Sequence, residues 1–170
     1  MSLLSSDEAK VWLMFQQGKP TSMIAEDADE GWTPAYVSRV LNRTRSKIEG
    51  ALKEYAESHR LDVEKVLDYH GLLLGFDYQA NAQVYIVYTE RQGIIVWYRH
   101  GSYAGTPCSR CPKEADCADT LDTVEEEYGI HLSDEERALS HAERSTLVFE
   151  KLAAKEVPRY QRSRGGEKNG

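Results

Sequence analysis

The chain has few of the features that mark several common protein classes. It contains only three cysteines among 170 residues, and its apolar runs all fall short of the ~18 residues that a membrane-spanning helix needs. The first eight residues have neither the basic flank nor the long apolar core of a secretory signal. These absences exclude an integral membrane protein and a disulfide-stabilised scaffold, and we expect the chain to be cytoplasmic.

Basic residues are also in the minority. The chain has 21 basic and 28 acidic residues and a formal net charge of −7, which excludes a uniformly basic nucleic-acid coat. The charge is uneven, however: residues 1–32 hold two bases and six acids, whereas residues 33–48 hold four bases and no acid. Residues 108–157 are strongly acidic again. Such asymmetry predicts one local surface for a polyanion on an otherwise acidic protein.

Signals of catalysis are missing as well. The sequence has no glycine-rich phosphate loop and no metallohydrolase motif. Three histidines, His70, His131 and His141, have no serine or cysteine partner at a recognisable spacing. We therefore expect that the chain is not an enzyme.

Capping and stop signals predict three helices in the first 60 residues. They are a helix capped by Ser5 or Ser6 that ends near Gln17, a short helix over Ser22 to Ala28 capped by Thr21, and a long helix that begins at Thr33-Pro34 and ends near His59. The long helix has apolar or small residues every three or four positions, at Val37, Val40, Leu41, Thr44, Ile48, Ala51, Leu52 and Tyr55. This spacing predicts one buried face and one exposed face.

The exposed face of the long helix carries residues that suit DNA. We expect Arg39, Asn42 and Arg43 to contact bases, because arginine can bind guanine and asparagine can bind adenine with two hydrogen bonds. The remaining candidates, expected to contact phosphates, are Tyr36, Ser38, Arg45 and Lys47. A helix of this kind with a short helix packed across it predicts a helix-turn-helix that reads double-stranded DNA in the major groove.

The segment Val37-Ser38-Arg39-Val40-Leu41-Asn42 resembles the recognition-helix segment of lactose-repressor-type regulators, and Ala25 resembles the small residue at their helix crossing. The resemblance covers about 25 residues. Ala25 and Val37 are two residues further apart than in that family, Asp29 stands where the family has a turn glycine, and the chain has no room for its sugar-binding domain. The resemblance implies a helix-turn-helix prokaryotic regulator with an extended turn.

The middle of the chain is expected to form a small antiparallel sheet after a further helix over residues 61–69. Three strands are predicted, over Leu72 to Tyr78, Gln83 to Thr89 and Ile94 to His100. Both faces of the second and third strands are apolar or aromatic, so we expect both faces of the sheet to be packed against other elements. Helices would cover one face, and either a second copy of the chain or the C-terminal helices could cover the other. A third possibility is that the aromatic residues line a ligand pocket.

The three cysteines form a Cys-x2-Cys-x5-Cys run that suits a metal. Cys108, Cys111 and Cys117 would supply three ligands, and His100 is the preferred fourth. Weaker candidates for the fourth ligand are His131, Asp116 and Asp119. We expect the bound group to be zinc, with an iron–sulfur cluster as the alternative. A third hypothesis is that the cysteines bind no metal.

Helices are predicted over Ala118 to Tyr128 and over Ser133 to Lys155, the second with a Ser133-x-x-Glu136 capping box. We therefore predict an α+β protein with three parts: a helix-turn-helix domain (1–60), an α+β dimerisation and metal-binding domain (61–157) and a disordered basic tail (158–170). The predicted function is that of a homodimeric DNA-binding transcriptional regulator. The alternative is a metal- or redox-binding protein that docks to a protein partner through its N-terminal helices.

Overall fold

The computed structural model of the chain describes residues 2–99 and 114–156, and no helix in these two ranges is long and apolar enough to cross a membrane. The architecture is α+β, as predicted. The elements follow in the order α1 (Ser6–Gln16), α2 (Thr21–Asp27), α3 (Pro34–Ser58), β1 (Asp62–Leu67), a 3₁₀ turn (Asp68–His70), β2 (Leu72–Asp77), β3 (Ala82–Thr89), β4 (Gly93–Tyr98), α4 (Glu114–Tyr128), α5 (Asp134–Arg137) and α6 (His141–Ala154).

The starts of α1 and α3 follow from their caps. The Ser5 side chain accepts a hydrogen bond from the Glu8 backbone N–H, and the Thr33 side chain accepts one from Tyr36. The predicted Thr21 cap of α2 is wrong, because the helix begins at Thr21 itself and Pro20 stands at the cap position without a side-chain hydrogen bond. Thr21 is fully buried.

The end of α3 is a reversal of the chain without glycine. Arg60 has a positive φ of 55°. Its N–H donates to the Glu57 carbonyl, and the Leu61 N–H donates to the Ala56 carbonyl at 2.9 Å. This is the hydrogen-bond pattern of a Schellman motif, and the buried side chains of Ala56 and Leu61 provide its apolar contact. The chain thereby leaves α3 and enters the sheet.

The sheet has four antiparallel strands in the order β1-β2-β3-β4. The three predicted strands are confirmed as β2, β3 and β4. The helix predicted over residues 61–69 is wrong, since this segment forms β1 and the 3₁₀ turn. Val63 and Val66 are three positions apart, as in a helix, but β1 pairs with β2 and has a register shift between Val63 and Lys65. This bulge breaks the alternation that marks a strand in sequence.

Both faces of the sheet are covered by the chain itself. Phe149 of α6 stacks on Tyr85 of β3, with ring centroids 4.6 Å apart, and lies 6.1 Å from the ring of Trp97, the pairing partner of Tyr85. The other face is covered by α3, which contacts β1, β2 and β3. The C-terminal helices therefore supply one of the two covers, and this face does not require a second copy of the chain.

The C-terminal helices differ from the prediction in two places. Helix α4 begins at Glu114, four residues before the predicted start at Ala118, and therefore includes Cys117. The single helix predicted over 133–155 is wrong: α5 ends at Arg137, and α6 has its own cap, Ser140, whose side chain accepts from the Glu143 N–H. The segment contains two successive Ser-x-x-Glu sequences, and each begins a helix.

The C-terminal part is joined to α1 by polar and aromatic contacts. The ring of Tyr128 in α4 meets the ring of Trp12 edge to face, with centroids 6.4 Å apart. The Lys155 ammonium donates to the carbonyls of Gln16 and Tyr128, the last residues of α1 and α4. A lysine at helix C-termini is favourable because it meets unpaired carbonyls and the negative end of the helix dipole.

Candidate nucleic-acid interface

Helices α1 and α2 both pack on α3 and on each other. Their shared core consists of fully or almost fully buried apolar side chains, Val11, Trp12, Phe15, Ile24, Val37, Val40 and Leu41. This packing fixes which side of α3 faces outward, because the buried stripe predicted from the sequence is the side turned toward α1 and α2.

The connection between α2 and α3 is an extended turn over residues 28–33. Asp29 has a φ of 53° and Gly31 a φ of 73°, so both lie in the left-handed region. Asp29 is the residue that stands where lactose-repressor-type regulators have a turn glycine. The conformation found there is one that glycine adopts without strain and that aspartate tolerates better than most residues.

The outward face of the first half of α3 is basic. Arg39, Arg43 and Lys47 follow one another at intervals of four residues and are exposed, with Ser46 beside them. Residues four apart on a helix project in the same direction. The first acid of α3 is Glu49, which is half-buried and pairs with Arg45. No carboxylate of α3 itself therefore interrupts the exposed stripe of Arg39, Arg43, Ser46 and Lys47, called here the basic stripe.

Glu8 of α1 lies beneath the basic stripe. Its side chain is only 1 % exposed, and its carboxylate accepts from Arg43 Nε and Lys47 Nζ, each at 2.8 Å. It also accepts from the Ser5 backbone N–H at 2.8 Å, which completes the capping box of α1. Burial alone would raise the pKa of Glu8, but the hydrogen bonds from Lys47, Ser5 and Arg43 outweigh it and lower the pKa to about 2.

Arg39 differs from Arg43 in having no internal partner. Within residues 2–99 and 114–156 its side chain forms no hydrogen bond and no ion pair, whereas the guanidinium of Arg43 is held by Glu8. The hydrogen bond to Glu8 also raises the pKa of Arg43 above its ordinary value. The stripe thus contains one free arginine and one arginine of fixed position.

Asn42 and Arg45 face the other flank of α3, toward the 3₁₀ turn. The Asn42 side-chain oxygen accepts from the Tyr69 hydroxyl at 3.2 Å. Arg45 forms an ion pair with Asp68 at 2.7 Å and lies 5.3 Å from the ring centre of Tyr69. The structure therefore separates these two predicted DNA contacts from the basic stripe and gives each an internal partner.

Tyr36 and Ser38 are half-buried near the start of α3. The Tyr36 hydroxyl donates to Asp7 at 3.0 Å, and this hydrogen bond is the largest cause of the raised pKa of Tyr36. The ring of Trp32 lies 5.5 Å from that of Tyr36. An aromatic pair with one hydroxyl thus stands next to the basic stripe.

The acids of α2 and the following turn are partly neutralised inside the chain. Lys19 pairs with Asp27 at 2.9 Å, and Lys10 pairs with Glu30 at 3.0 Å and donates to the Ala28 carbonyl. These groups are exposed, so each pair contributes little to stability. Each pair places a lysine beside one of these carboxylates and so reduces the net negative charge of this segment.

Most of the predicted metal site lies outside the described residues, namely Cys108, Cys111 and His100. Cys117 is half-buried on α4 and packs against the hydrophobic core. Asp119, a weaker candidate ligand, accepts hydrogen bonds from the Arg91 and Gln92 side chains. In the two ranges that the structure covers, no three potential ligands form a group that could hold a metal ion.

Comparison with protein-family models, with curated proteins and with solved structures finds no match to this chain. The candidate site is thus defined by side-chain geometry and charge. The sequence pattern found Arg39, Arg43 and Lys47. It missed Glu8, whose one available signal is the Ser5-x-x-Glu8 capping box, and this signal gives no indication of a contact with residues 35 and 39 positions away.

Proposed function

We propose that the chain is a sequence-specific regulator that binds double-stranded DNA by placing the first half of α3 in the major groove. The observation that carries this proposal is the basic stripe: three exposed cations on one face of a helix that two other helices hold from behind. A helix is the element that fits the major groove, and arginine is the side chain that most often reads guanine there. The stripe also supplies the attraction to phosphate on which all such binding depends.

The seven candidate residues differ in exposure and in their hydrogen bonds within the chain, and these differences determine which DNA contact we propose for each. Arg39 and Arg43 are the proposed base contacts, since both are exposed at the centre of the outward face. Lys47 and the polar groups of Tyr36 and Ser38 are proposed phosphate contacts at its sides. Asn42 and Arg45 would have to give up hydrogen bonds to Tyr69 and Asp68 before they could reach DNA, so we assign them no base contact in the first instance.

Fluorescence anisotropy with a labelled duplex tests the proposal across a salt series. A protein that neutralises several phosphates loses affinity steeply between about 50 and about 200 mM salt, with a log–log slope of about −0.9 for each phosphate. Arg39→Ala removes a positive charge from the face proposed to lie against the DNA, so it should reduce affinity and make the slope shallower. Arg39 has no internal partner among the described residues, so this change should leave the melting temperature unaltered.

Arg91→Ala is the matched control. It removes one exposed arginine from the β3–β4 loop, where its partner is Asp119 on α4, and changes the net charge by the same amount. A DNA interface on α3 predicts that only Arg39→Ala alters the salt slope. Equal effects of the two substitutions would indicate attraction by overall charge, and no binding at low salt would favour the alternative of a protein that docks to a protein partner.

Homodimerisation is a second part of the proposal. One helix in one groove contacts few base pairs, and two copies related by a two-fold axis would add the contacts of two half-sites. Light scattering of the purified chain measures the molar mass directly. A mass near twice 19.3 kDa supports a dimer, and a mass near 19.3 kDa at the concentration of the binding assay contradicts it.

A metal held by Cys108, Cys111, Cys117 and His100 also remains a proposal, with zinc preferred to an iron–sulfur cluster. Elemental analysis of the purified chain separates the two metals, and an iron–sulfur cluster adds visible absorption. Cys117→Ser should reduce the metal content. A chain that carries neither metal in stoichiometric amount would contradict the assignment.

A further inference from the structure

The contact between Glu8 and Arg43 carries an inference about how the proposed site selects sequence. The Glu8 carboxylate is buried, whereas 53 % of the Arg43 side chain is exposed, so the arginine is held at its inner end and free at its outer end. The atom held is Nε, which donates to Glu8 Oε2 at 2.8 Å. The second carboxylate oxygen accepts from Ser5 and Lys47, and therefore the carboxylate itself cannot easily rotate.

The inner hydrogen bond determines which donors of Arg43 remain. A guanidinium has five N–H donors, and the Nε–H is the one that Glu8 occupies. The donors on Nη1 and Nη2 form no other hydrogen bond within the described ranges. Two N–H groups that point the same way match O6 and N7 of guanine, which is the pair of acceptors that distinguishes guanine in the major groove.

The hydrogen bond between Arg43 and Glu8 also lowers the conformational entropy that Arg43 loses when it binds DNA. An arginine that is free in solution loses side-chain freedom when it docks, and this loss opposes binding. Arg43 has already lost part of that freedom to Glu8, whereas Arg39, one turn earlier on the same face, has no such restraint. Arg39 and Arg43 therefore carry the same charge, but within the described ranges only Arg43 is already restrained before DNA binds.

We propose that Glu8 is a positioning residue that holds Arg43 by Nε and so makes it the guanine-reading side chain of the basic stripe. This inference rests on the proposed function, since it concerns DNA. It extends that function by naming the base, the reading side chain and the buried residue that orients it. Arg39, the other proposed base contact, has no such restraint in the part of the chain that the structure describes and is expected to discriminate less strongly between bases.

The test uses the full chain and a duplex enriched from a library with a randomised centre. Each guanine of the enriched site is replaced in turn by adenine, with its complement, and the ratio of the two affinities is the discrimination at that position. Arg43→Lys keeps the charge but removes the paired donors, and it should lower discrimination at one guanine by roughly ten-fold or more. Arg39→Lys is the matched control and should change discrimination by less.

Glu8→Gln shows whether Glu8 acts through Arg43. Glutamine keeps the capping function at this helix position but lacks the charge that holds the guanidinium. Discrimination at the Arg43-dependent guanine should fall, while affinity for unrelated duplexes should rise because a negative charge near the phosphates is lost. In a double-mutant cycle, Glu8→Gln should add no further loss to Arg43→Lys, whereas its effect should add to that of Arg39→Lys.

Several results would overturn the assignment. Unchanged discrimination in Glu8→Gln, or losses that add in the cycle with Arg43→Lys, would show that Glu8 does not act through Arg43. If Glu8→Gln fails to fold, the two lysine variants still decide, since a larger loss from Arg39→Lys than from Arg43→Lys contradicts the proposal. Sequence-specific binding by the wild type that does not depend on a guanine read by Arg43 would remove this inference alone, and absence of DNA binding would remove the proposed function with it.

Discussion

Arg144 of α6 and Glu125 of α4 form an ion pair in which both side chains are buried, with exposed fractions of 7 % and 3 %. Glu125 accepts from both Nε and Nη2 of Arg144, and Asp122 accepts a third hydrogen bond from the same guanidinium at 2.6 Å. A pair of this kind is not a strong source of net stability, because both charges leave water. Removing one member is costly, since the other then remains buried without its partner.

The first prediction concerns this pair. Arg144→Met should lower the free energy of unfolding by about 3 kcal/mol, because the Glu125 carboxylate keeps its burial and loses its main counter-charge. Urea denaturation followed by circular dichroism measures the change. Arg137→Met is the control: Arg137 also pairs with Glu125 but is half-exposed, so its loss should be below about 1 kcal/mol. Equal losses in the two variants would contradict the prediction.

The second prediction concerns the contact of α6 with the sheet. Phe149 is fully buried and stacks on Tyr85. Phe149→Ala should lower the free energy of unfolding by about 3–5 kcal/mol, the range for large aromatic side chains removed from a core. Lys151→Ala, an exposed change on the same helix, should have almost no effect in the same urea experiment. A loss below about 1 kcal/mol in Phe149→Ala would mean that α6 does not cover this face.

The third prediction uses the strained end of α3. Arg60 adopts a φ of 55°, for which an L-residue pays about 1–2 kcal/mol relative to its right-handed conformation. Arg60→Gly should therefore raise the free energy of unfolding by about 0.5–1 kcal/mol, after allowance for the greater freedom of glycine in the unfolded chain. Arg60→Ala changes the side chain and keeps the penalty, so it should give no gain. A thermal melt of the three proteins compares them, and a gain with alanine equal to that with glycine would argue against a backbone effect.

The fourth prediction concerns pH and Glu8. Its pKa of about 2 in the folded chain lies below the ordinary value of 4.5, so the unfolded chain binds the proton more tightly. The stabilisation is complete above pH 4.5 and is lost as the pH falls toward 2, and the difference corresponds to roughly 3 kcal/mol. Glu8→Gln lacks this contribution. The stability difference between wild type and Glu8→Gln should shrink steadily between pH 5 and pH 2, and a constant difference over this range would contradict the assigned contacts.

Local signals in the sequence were sufficient for the helical part. The Thr33-Pro34 cap and the three-and-four spacing from Val37 onward gave the start, the end and the buried face of α3. Such signals depend on neighbours within one or two turns, and these are present in the sequence itself. Strands β2, β3 and β4 were predicted correctly for a similar reason, because runs of strand-forming residues and the turn residues between them are also local signals.

Several of the errors occurred where a distant contact decides the structure. Residues 62–67 form a strand because β2 is available to pair with them, and the bulge between Val63 and Lys65 removes the local pattern. The direction of Asn42 is set by Tyr69, which lies 27 residues away. Glu8 is the clearest example in the candidate site: its sequence context indicated a cap, and only the packing of α1 on α3 shows that it holds Arg43.

Helix α3 has 25 residues and a length of about 37 Å, and its two halves serve different parts of the molecule. The first half carries the basic stripe, while the second half leads through Ala56 and Leu61 directly into the sheet. The proposed DNA-binding face and the sheet are therefore connected by one continuous helix. A duplex bound to Arg39 and Arg43 would lie at a fixed angle and distance from the sheet. In a dimer, the spacing of the two α3 helices along the DNA would then be set by the dimer interface and not by the flexibility of a linker.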